Sequence, residues 1–173
     1  MKQQRLIATS GLPGSGKSTV AEGLARALPA PILSVDPIEA AMWTSGIPKP
    51  NTGIAAYKVA EAMATENLKQ GLSIIVDAVN PVEAARMMWR DLANQFGVQV
   101  FFIECVCSDL NIHRERIESR VRNIDGMPEV TWARVEQRRN EFEPWHKARL
   151  TLDTATEQPD TLISTALEYV GAT

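Results

Sequence analysis

Gly11-Leu12-Pro13-Gly14-Ser15-Gly16-Lys17-Ser18-Thr19 is the segment from which the architecture of this chain can be predicted. It matches the P-loop pattern, in which a glycine is followed by four residues and then by Gly-Lys-Ser or Gly-Lys-Thr. The glycines permit backbone conformations that a Cβ atom forbids, so successive N–H groups can turn inward around phosphate oxygens. The pattern predicts binding of ATP, with the following nucleotide-binding residues: Gly11, Gly14, Ser15, Gly16, Lys17, Ser18 and Thr19.

Two side chains of the P-loop add chemistry to its backbone. Lys17 supplies a mobile positive charge for the phosphates, and Ser18 offers a hydroxyl to Mg²⁺. The helix that begins here directs the positive end of its dipole at the same phosphates. The flanking sequence agrees with this arrangement, because a short apolar strand is predicted over residues 6–10 and apolar residues recur at helical spacing after Thr19.

The length and the charge of the chain limit the kinds of protein that it can be and the partners that it can bind. At 173 residues the chain is long enough for one domain with a sizeable core and too short for two, so we expect a single domain over residues 1–173. The formal net charge of -3 argues against an overall electrostatic attraction to nucleic acid and favours a small-molecule partner. The apolar stretch near the start is too short for a signal peptide or a membrane span, which predicts a cytoplasmic protein with no membrane partner.

Strands and helices are predicted to alternate along the chain. Short apolar runs predict strands at residues 6–10, 32–35, 73–77, 98–106 and 149–153. Helical spacing of apolar residues predicts helices between them, including one that Gly97 ends. Such alternation implies right-handed crossovers, so we predict an α/β protein of the P-loop NTPase fold. Its five-stranded, mostly parallel sheet would carry helices on both faces.

Carboxylates follow two of the predicted strands. Asp36 follows the second strand, and Asp77 ends the third. Ligands of parallel sheets collect at the carboxyl ends of the strands, so we expect Gly11, Asp36 and Asp77 to converge on one crevice. Asp77 is predicted to organise Mg²⁺ together with Ser18.

Asp36 has two interpretations. A carboxylate beside the P-loop strand can act as a general base, accepting the proton of a substrate hydroxyl during phosphoryl transfer. Alternatively, it caps the next helix, since Pro37 would occupy the favoured first helical position behind it.

The segment from about residue 109 to 143 is highly charged and predicts a helical lid of two helices, separated near residues 125–128. Phosphoryl transfer requires cations that arrive when both substrates are bound, because they offset charge in the transition state. We select Arg116 and Arg120, four residues apart, as catalytic lid cations. The alternative is a solvated helix whose glutamates pair with neighbouring arginines.

Three further side chains also have two interpretations. Asn80-Pro81-Val82-Glu83 fits a capping box, and Asn80 also follows the third strand closely enough to act on substrate. Arg86 faces either the crevice or the solvent. Trp43 either contacts the acceptor or packs in the core.

We predict no catalytic or metal-binding role for the cysteines and histidines. Cys105 and Cys107 share one face of the fourth strand and are predicted to be buried, reduced thiols. His113 and His146 are isolated in charged surroundings, and we assign them no function.

Taken together, the P-loop, Asp36, Asp77 with Asn80, and the helix with Arg116 and Arg120 resemble the small P-loop kinases. That group includes polynucleotide 5′-hydroxyl kinase domains, zeta toxins, gluconate kinases and chloramphenicol phosphotransferases. The resemblance implies that Asp36 is the base toward the acceptor hydroxyl and that Arg120 lies near the nucleotide. It also implies that Lys17 and Ser18 bind phosphate and Mg²⁺ and that the stretch after Asp153 forms the loop beside the adenine.

One position departs from the pattern of this group. Polynucleotide kinases in it tend to carry an arginine three residues after the strand-two aspartate, where it holds the acceptor's phosphate, whereas this chain has Glu39. A negative charge there would repel a nucleic-acid phosphate. We therefore expect ATP-dependent transfer of the γ-phosphate to a hydroxyl of a small molecule. A nucleic-acid 5′-hydroxyl kinase and a nucleotide-binding regulatory ATPase module are the alternatives.

Overall fold

The computed structural model describes residues 4–172. Within that range the strands are β1 (Arg5–Ser10), β2 (Ile32–Ser34), β3 (Ile74–Asp77), β4 (Gln99–Val106) and β5 (Leu150–Asp153). They form a five-stranded sheet in the order β2-β3-β1-β4-β5. Each neighbouring pair is parallel. The predicted parallel α/β sheet is confirmed.

The α-helices of the same range are α1 (Lys17–Ala27), α2 (Val35–Thr44), α3 (Gly53–Lys69), α4 (Glu83–Phe96), α5 (Leu110–Ser119), α6 (Trp132–Glu141) and α7 (Pro159–Tyr169). A short 3-10 turn, Lys49–Asn51, separates α2 from α3. The charged segment contains two helices as predicted, α5 and α6, joined by residues 120–131. We call residues 109–143 the lid segment. No helix among the described residues has both the length and the apolarity needed to cross a bilayer.

Helices cover both faces of the sheet because side chains alternate along its strands. On β1, Leu6 and Ala8 belong to one core cluster and Ile7 to the other. The first cluster is closed by α3 and α4, and the second by α1 and α7. On α3 every fourth residue of the inner face is small and buried, so the helix lies close to the sheet; these residues are Ala56, Ala60 and Ala64.

The start of α2 differs from the prediction and changes the position of Asp36. β2 ends at Ser34 and α2 begins at Val35, so Asp36 lies in the first helical turn. The residue that precedes the helix is Ser34, in an extended conformation, and no side chain caps the N-terminus. The capping interpretation of Asp36 is therefore wrong, and its carboxylate is free to point into the crevice beyond β2.

Candidate active site

The P-loop connects β1 to α1 through backbone that requires glycine. Gly16 has φ 90°, in the left-handed region, and directly precedes the first residue of α1, Lys17. A Cβ atom on Gly16 would lie 2.8 Å from Cγ2 of Thr154. At Gly11, with φ 140°, a Cβ atom would collide with the carbonyl oxygen of Cys105. The loop is thus held tightly between the helix, β4 and the segment after β5.

Lys17 contacts the backbone of the P-loop and is influenced by the charges of two carboxylates. Its Nζ donates to the carbonyl oxygen of Leu12 at 3.2 Å, which leaves further N–H groups for a ligand. Burial lowers the pKa of the Lys17 ammonium from its ordinary value, while Asp77 and Asp36 act in the opposite direction. The cation therefore lies near both Asp36, the predicted base, and Asp77, the predicted Mg²⁺ ligand.

Ser18 and Asp77 form a pair of oxygen ligands. Ser18 Oγ donates to Asp77 Oδ2 at 2.7 Å, and Thr9 Oγ1 donates to Asp77 Oδ1 at 3.2 Å. A hydroxyl and a carboxylate suit Mg²⁺, which usually takes only one or two protein carboxylates and fills its remaining positions with phosphates and water. No group of three or more His, Cys, Asp or Glu residues gathers for a metal among residues 4–172. The donors present thus fit a magnesium ion shared with a nucleotide.

Two cavities meet at Ser18, and Asp77 lines one of them. The P-loop cavity, of about 550 Å³, lies between the P-loop, α5 and residues 154–159. The junction, of about 270 Å³, is lined by Lys17, Ser18, Asp77, Arg120 and Asp36 among others. Lys17, Ser18 and Arg120 line both cavities. Asp36 and Asp77 line the junction together as predicted, whereas Gly11, the third residue expected there, lines a separate cavity beside β4.

A third cavity opens on the other side of Asp36. The Asp36 cavity, of about 570 Å³, lies between α2, α3, the start of α4 and α6. Asp36 and Val79 line both this cavity and the junction. Three connected spaces therefore run from the P-loop past Lys17 and Asp36 into the Asp36 cavity.

Arg122 reaches Asp36 from the lid segment. Its Nη1 donates to Asp36 Oδ2 at 2.7 Å, and its Nε lies 3.5 Å from Glu129 Oε2. Among the described residues no hydrogen bond reaches Asp36 Oδ1, so that oxygen remains available to an acceptor hydroxyl. Sequence reasoning did not single out Arg122, because the two partners are 86 positions apart.

The two predicted lid arginines have different partners. Arg116 donates from both Nη atoms to Thr154, at 2.7 Å to its Oγ1 and 2.7 Å to its carbonyl oxygen, and so connects α5 to the segment after β5. Arg120 lies 3.8 Å from Glu129, and within the described range its buried Nε and Nη2 have no hydrogen-bond partner. Burial and then Arg122 lower the pKa of Arg120 from its ordinary value. Unused guanidinium N–H groups beside the P-loop fit a phosphate ligand.

Glu39 is held within the Asp36 cavity by a hydroxyl. Thr52 Oγ1 accepts from Trp43 Nε1 at 2.7 Å and shares its single hydrogen between Glu39 Oε1 and the carbonyl oxygen of Lys49, each at 2.9 Å. Trp43 is half-buried, lies 4.5 Å from Lys49 Nζ and is absent from the lining of the Asp36 cavity. The tryptophan thus fixes Glu39 indirectly and does not form the wall that one interpretation gave it.

A family model for an AAA domain matches residues 6–145 of the chain. The chain belongs to this AAA domain family. The bifunctional polynucleotide phosphatase/kinase of Schizosaccharomyces pombe is 27% identical over 133 residues, which cover 76% of this chain. They cover 28% of that relative, so the chain spans less than a third of its length.

Solved structures share the fold of this AAA domain. A Chloroflexus aurantiacus protein assigned as a kinase has a TM-score of 0.77 and 23% identity, with 97% of this chain and 99% of that chain covered. The Mycobacterium tuberculosis APS kinase CysC, in complex with AMPPNP and APS, has a TM-score of 0.70 and 18% identity, with 98% of each chain covered. These findings confirm the resemblance to the small P-loop kinases.

Asn80 of the AAA domain is structural, and its predicted capping box is wrong. α4 begins at Glu83, after Val82, and Asn80 is fully buried with φ 46°. Its Nδ2 donates to the carbonyl oxygen of Thr9 at 2.6 Å, and its Oδ1 accepts from Trp89 Nε1 at 2.9 Å. The amide is fully engaged in joining β1 to α4, so it cannot cap the helix.

Both interpretations of Arg86 are wrong. The side chain is fully buried rather than facing the crevice or solvent. It donates to the carbonyl oxygens of Asn80, Pro81, Glu143 and Pro144 at 2.9–3.1 Å, and its guanidinium lies 3.9 Å from the centre of the Trp145 ring. Arg86 thus attaches the end of the lid segment to the start of α4.

His113, to which we assigned no function, contacts the P-loop. The side chain is buried, its Nε2 lies 2.7 Å from the carbonyl oxygen of Pro13, and its ring packs edge-to-face against Trp132. Because a carbonyl only accepts, Nε2 carries the proton. Cys105 and Cys107 are buried and reduced as predicted, and burial raises the pKa of Cys105 to about 12.

We expect Asn80→Ala to destabilise the AAA domain by about 3 kcal/mol. The substitution leaves the buried Thr9 carbonyl and Trp89 N–H without partners and places alanine at a positive φ, where asparagine is better tolerated. Urea denaturation followed by circular dichroism measures the change. Asn94→Ala, on the exposed side of α4, is the matched control and should shift stability by less than about 0.5 kcal/mol. Equal stability of the two variants would contradict this role of Asn80.

Proposed function

We propose that the chain is an ATP-dependent kinase that transfers the γ-phosphate of ATP to a hydroxyl of a small molecule. The observation that carries the proposal is the connection of the three cavities. Lys17, Ser18 and Arg120 line both the P-loop cavity and the junction, whereas Asp36 lines both the junction and the Asp36 cavity. A nucleotide and an acceptor in the two outer cavities would therefore meet between phosphate-binding cations and a carboxylate.

The proposed nucleotide site uses the P-loop cavity. The backbone N–H groups of the loop and the start of α1 favour phosphates at one end of this space. Residues 154–159 form the other end, where the resemblance to small kinases puts the adenine. Similarity in fold to an APS kinase in complex with AMPPNP supports this arrangement. Mg²⁺ held by Ser18 and Asp77 would add positive charge next to the phosphate oxygens.

The proposed transfer step assigns a role to each residue of the junction. The acceptor oxygen forms a bond to the γ-phosphorus while the bond from that phosphorus to the departing ADP oxygen breaks. Lys17 and the unpaired N–H groups of Arg120 offset the charge on the transferring phosphoryl group. Asp36 takes the proton of the acceptor hydroxyl at Oδ1, while Arg122 holds the carboxylate in place through Oδ2.

Arg116 has a positioning role in the proposed reaction. Since its guanidinium is engaged by Thr154, it attaches α5 to the segment that closes the P-loop cavity. It therefore helps to keep the lid segment over the nucleotide, and its direct contact with phosphate stays a prediction.

A nucleic-acid 5′-hydroxyl kinase is the second candidate function. The 27% identical relative is named a bifunctional polynucleotide phosphatase/kinase, which favours this reading. Glu39 lies one helical turn beyond Asp36 and lines the Asp36 cavity, where it repels the phosphate next to a 5′-hydroxyl. We therefore favour the small-molecule acceptor.

We expect the KM for the acceptor to rise less than about threefold between 50 and 200 mM salt, because a small acceptor makes at most one ionic contact. An oligonucleotide held by three phosphate contacts would instead show a rise of about twentyfold over the same range. Steady-state kinetics with each acceptor class measure the slope, and the KM for ATP in the same experiments is the control. A steep rise in the KM for the acceptor, with no change in the KM for ATP, would instead favour the nucleic-acid kinase.

A further inference from the structure

Arg138 provides an unmatched positive charge in the Asp36 cavity. α6 places Arg134, Arg138 and Glu141 along one side at helical spacing, and all three line the cavity. Arg134 Nη1 donates to Glu141 Oε1 at 3.2 Å. Arg138 is partly buried, yet within residues 4–172 it makes no side-chain hydrogen bond and has no carboxylate within 4.0 Å.

The other charges of the cavity have partners. Lys58 Nζ lies 2.7 Å from Glu61, and Asp36 lies 2.7 Å from Arg122. Glu39 accepts the hydroxyl of Thr52. Partial burial removes water from a guanidinium, and an anionic partner restores the lost interaction. Three cations line the cavity: Lys58, Arg134 and Arg138. Within residues 4–172, Arg138 is the one whose guanidinium has no partner and can therefore bind an anion.

The rest of the cavity wall is largely apolar. Its apolar side chains include Val35, Ile54, Val79, Val82 and Met88. Ile54 is 82% exposed, although it is a large aliphatic residue that lines the opening. A ligand with an apolar body would remove this surface from water, which favours binding. A cavity of about 570 Å³ also lies in the range that accommodates a small organic molecule.

Charges of both signs line the cavity, and two of its carboxylates, Asp36 and Glu39, lie one helical turn apart on α2. Near Asp36 a second carboxylate, Glu39, disfavours an anionic group beside the reacting hydroxyl. Tyr57 lies within the cavity, where its hydroxyl oxygen accepts from the backbone N–H of Asn80 at 3.0 Å. Its own O–H hydrogen is left for a ligand, since no acceptor for it occurs in the described part of the chain. An acidic group is therefore favoured at Arg138 and a hydroxyl at Asp36.

We infer that the acceptor is a small amphipathic hydroxy acid, with its hydroxyl at Asp36, an apolar body along α3 and α4, and a carboxylate or comparable acidic group on Arg138. The inference rests on the proposed function, because it names the substrate class of the same site. Arg138 is the specificity-determining residue in this account.

Binding of matched acids and amides tests the inference. The probes are 4-(hydroxymethyl)benzoate and 6-hydroxyhexanoate, each with its primary amide, titrated by ligand-observed NMR into the full chain with AMPPNP and Mg²⁺. The acids should bind the wild-type protein at least about tenfold more tightly than the amides, because a charge-assisted hydrogen bond is lost in the amide. Arg138→Gln should remove this preference. Arg114→Gln, which alters an exposed arginine of α5 that pairs with Glu118 outside the cavity, should retain it.

Equal binding of acids and amides by the wild-type protein, or no detectable binding of either acid, would overturn the inference. So would a preference that Arg138→Gln leaves intact, or displacement of the acids by a 5′-hydroxyl hexathymidylate at lower concentration than either acid requires. Calorimetry with AMPPNP separates this failure from that of the proposed function. One outcome is that AMPPNP binds tightly and phosphate is transferred to neutral alcohols at a rate that Arg138→Gln does not change. That outcome would contradict only the hydroxy-acid acceptor. Absence of AMPPNP binding would contradict the kinase itself.

Discussion

Lys17→Ala is expected to lower the rate of phosphoryl transfer by about a hundredfold or more. The substitution removes the ammonium that lines both the P-loop cavity and the junction, where it would follow the γ-phosphate through transfer. The fold should persist, because Lys17 makes one hydrogen bond, to the Leu12 carbonyl. Steady-state turnover together with circular dichroism measures both effects.

The control for this variant is Lys69→Ala. Lys69 is exposed at the end of α3 and pairs with Glu66 on the same helix, so its loss should leave turnover within about twofold of the wild type. A Lys17→Ala protein that is folded and turns over within a few-fold of the wild type would contradict the role of the P-loop.

Asp36→Asn should reduce acceptor phosphorylation by about a hundredfold or more while affinity for AMPPNP changes less than about twofold. The amide preserves the shape of the side chain but cannot accept the proton of the acceptor hydroxyl. Calorimetry gives the AMPPNP affinity, and transfer of labelled phosphate gives the rate. A parallel loss of AMPPNP binding would instead assign Asp36 to the nucleotide or Mg²⁺ site. Unchanged transfer would show that Asp36 is not the base that the reaction requires.

Arg122→Gln is the matched variant for Asp36→Asn. It breaks the same ion pair but leaves the carboxylate, so it separates loss of the base from loss of the contact. We expect it to reduce transfer by less than about tenfold, since Arg122 positions Asp36 but does not itself accept the proton. A loss as large as that of Asp36→Asn would show that the ion pair, rather than proton acceptance, is what the reaction requires.

Local chemistry made much of this architecture predictable. The P-loop could be recognised because its backbone requires glycines at fixed positions before Lys17 and Ser18. Asp77 could be placed because a carboxylate ends an apolar strand that lies next to β1. The parallel sheet followed from the alternation of strands and helices.

Long-range contacts explain what the sequence could not predict. Arg86 is polar and lies off the main apolar stripe of α4, yet it is buried because carbonyl oxygens 57 and 58 positions away accept its hydrogen bonds. The sequence around Asn80 fits a capping box, but in the structure its amide donates to the carbonyl oxygen of Thr9, 71 positions earlier. The start of α2 was misplaced because β2 has only three residues and passes directly into the helix.

Arg122 and Arg138 illustrate the same limitation within the candidate site. Both are arginines in a highly charged segment, where pairing with neighbouring glutamates is the usual expectation. Only the fold brings Arg122 to Asp36 and orients Arg138 toward the cavity between α2, α3 and α6. The catalytic roles of Lys17, Asp36, Arg116 and Arg120 stay predictions that measurements of activity must test.

The central claim is tested most directly by following γ-labelled phosphate from ATP into a panel of hydroxy acids, sugars, antibiotics, nucleosides and 5′-hydroxyl oligonucleotides. Wild-type protein and Asp36→Asn are compared in the same assay. We predict that the wild type transfers label to a small hydroxyl compound faster than to water and that Asp36→Asn loses this transfer by about a hundredfold or more. Label that appears only on oligonucleotides, or only as free phosphate at equal rates in both proteins, would contradict a small-molecule kinase.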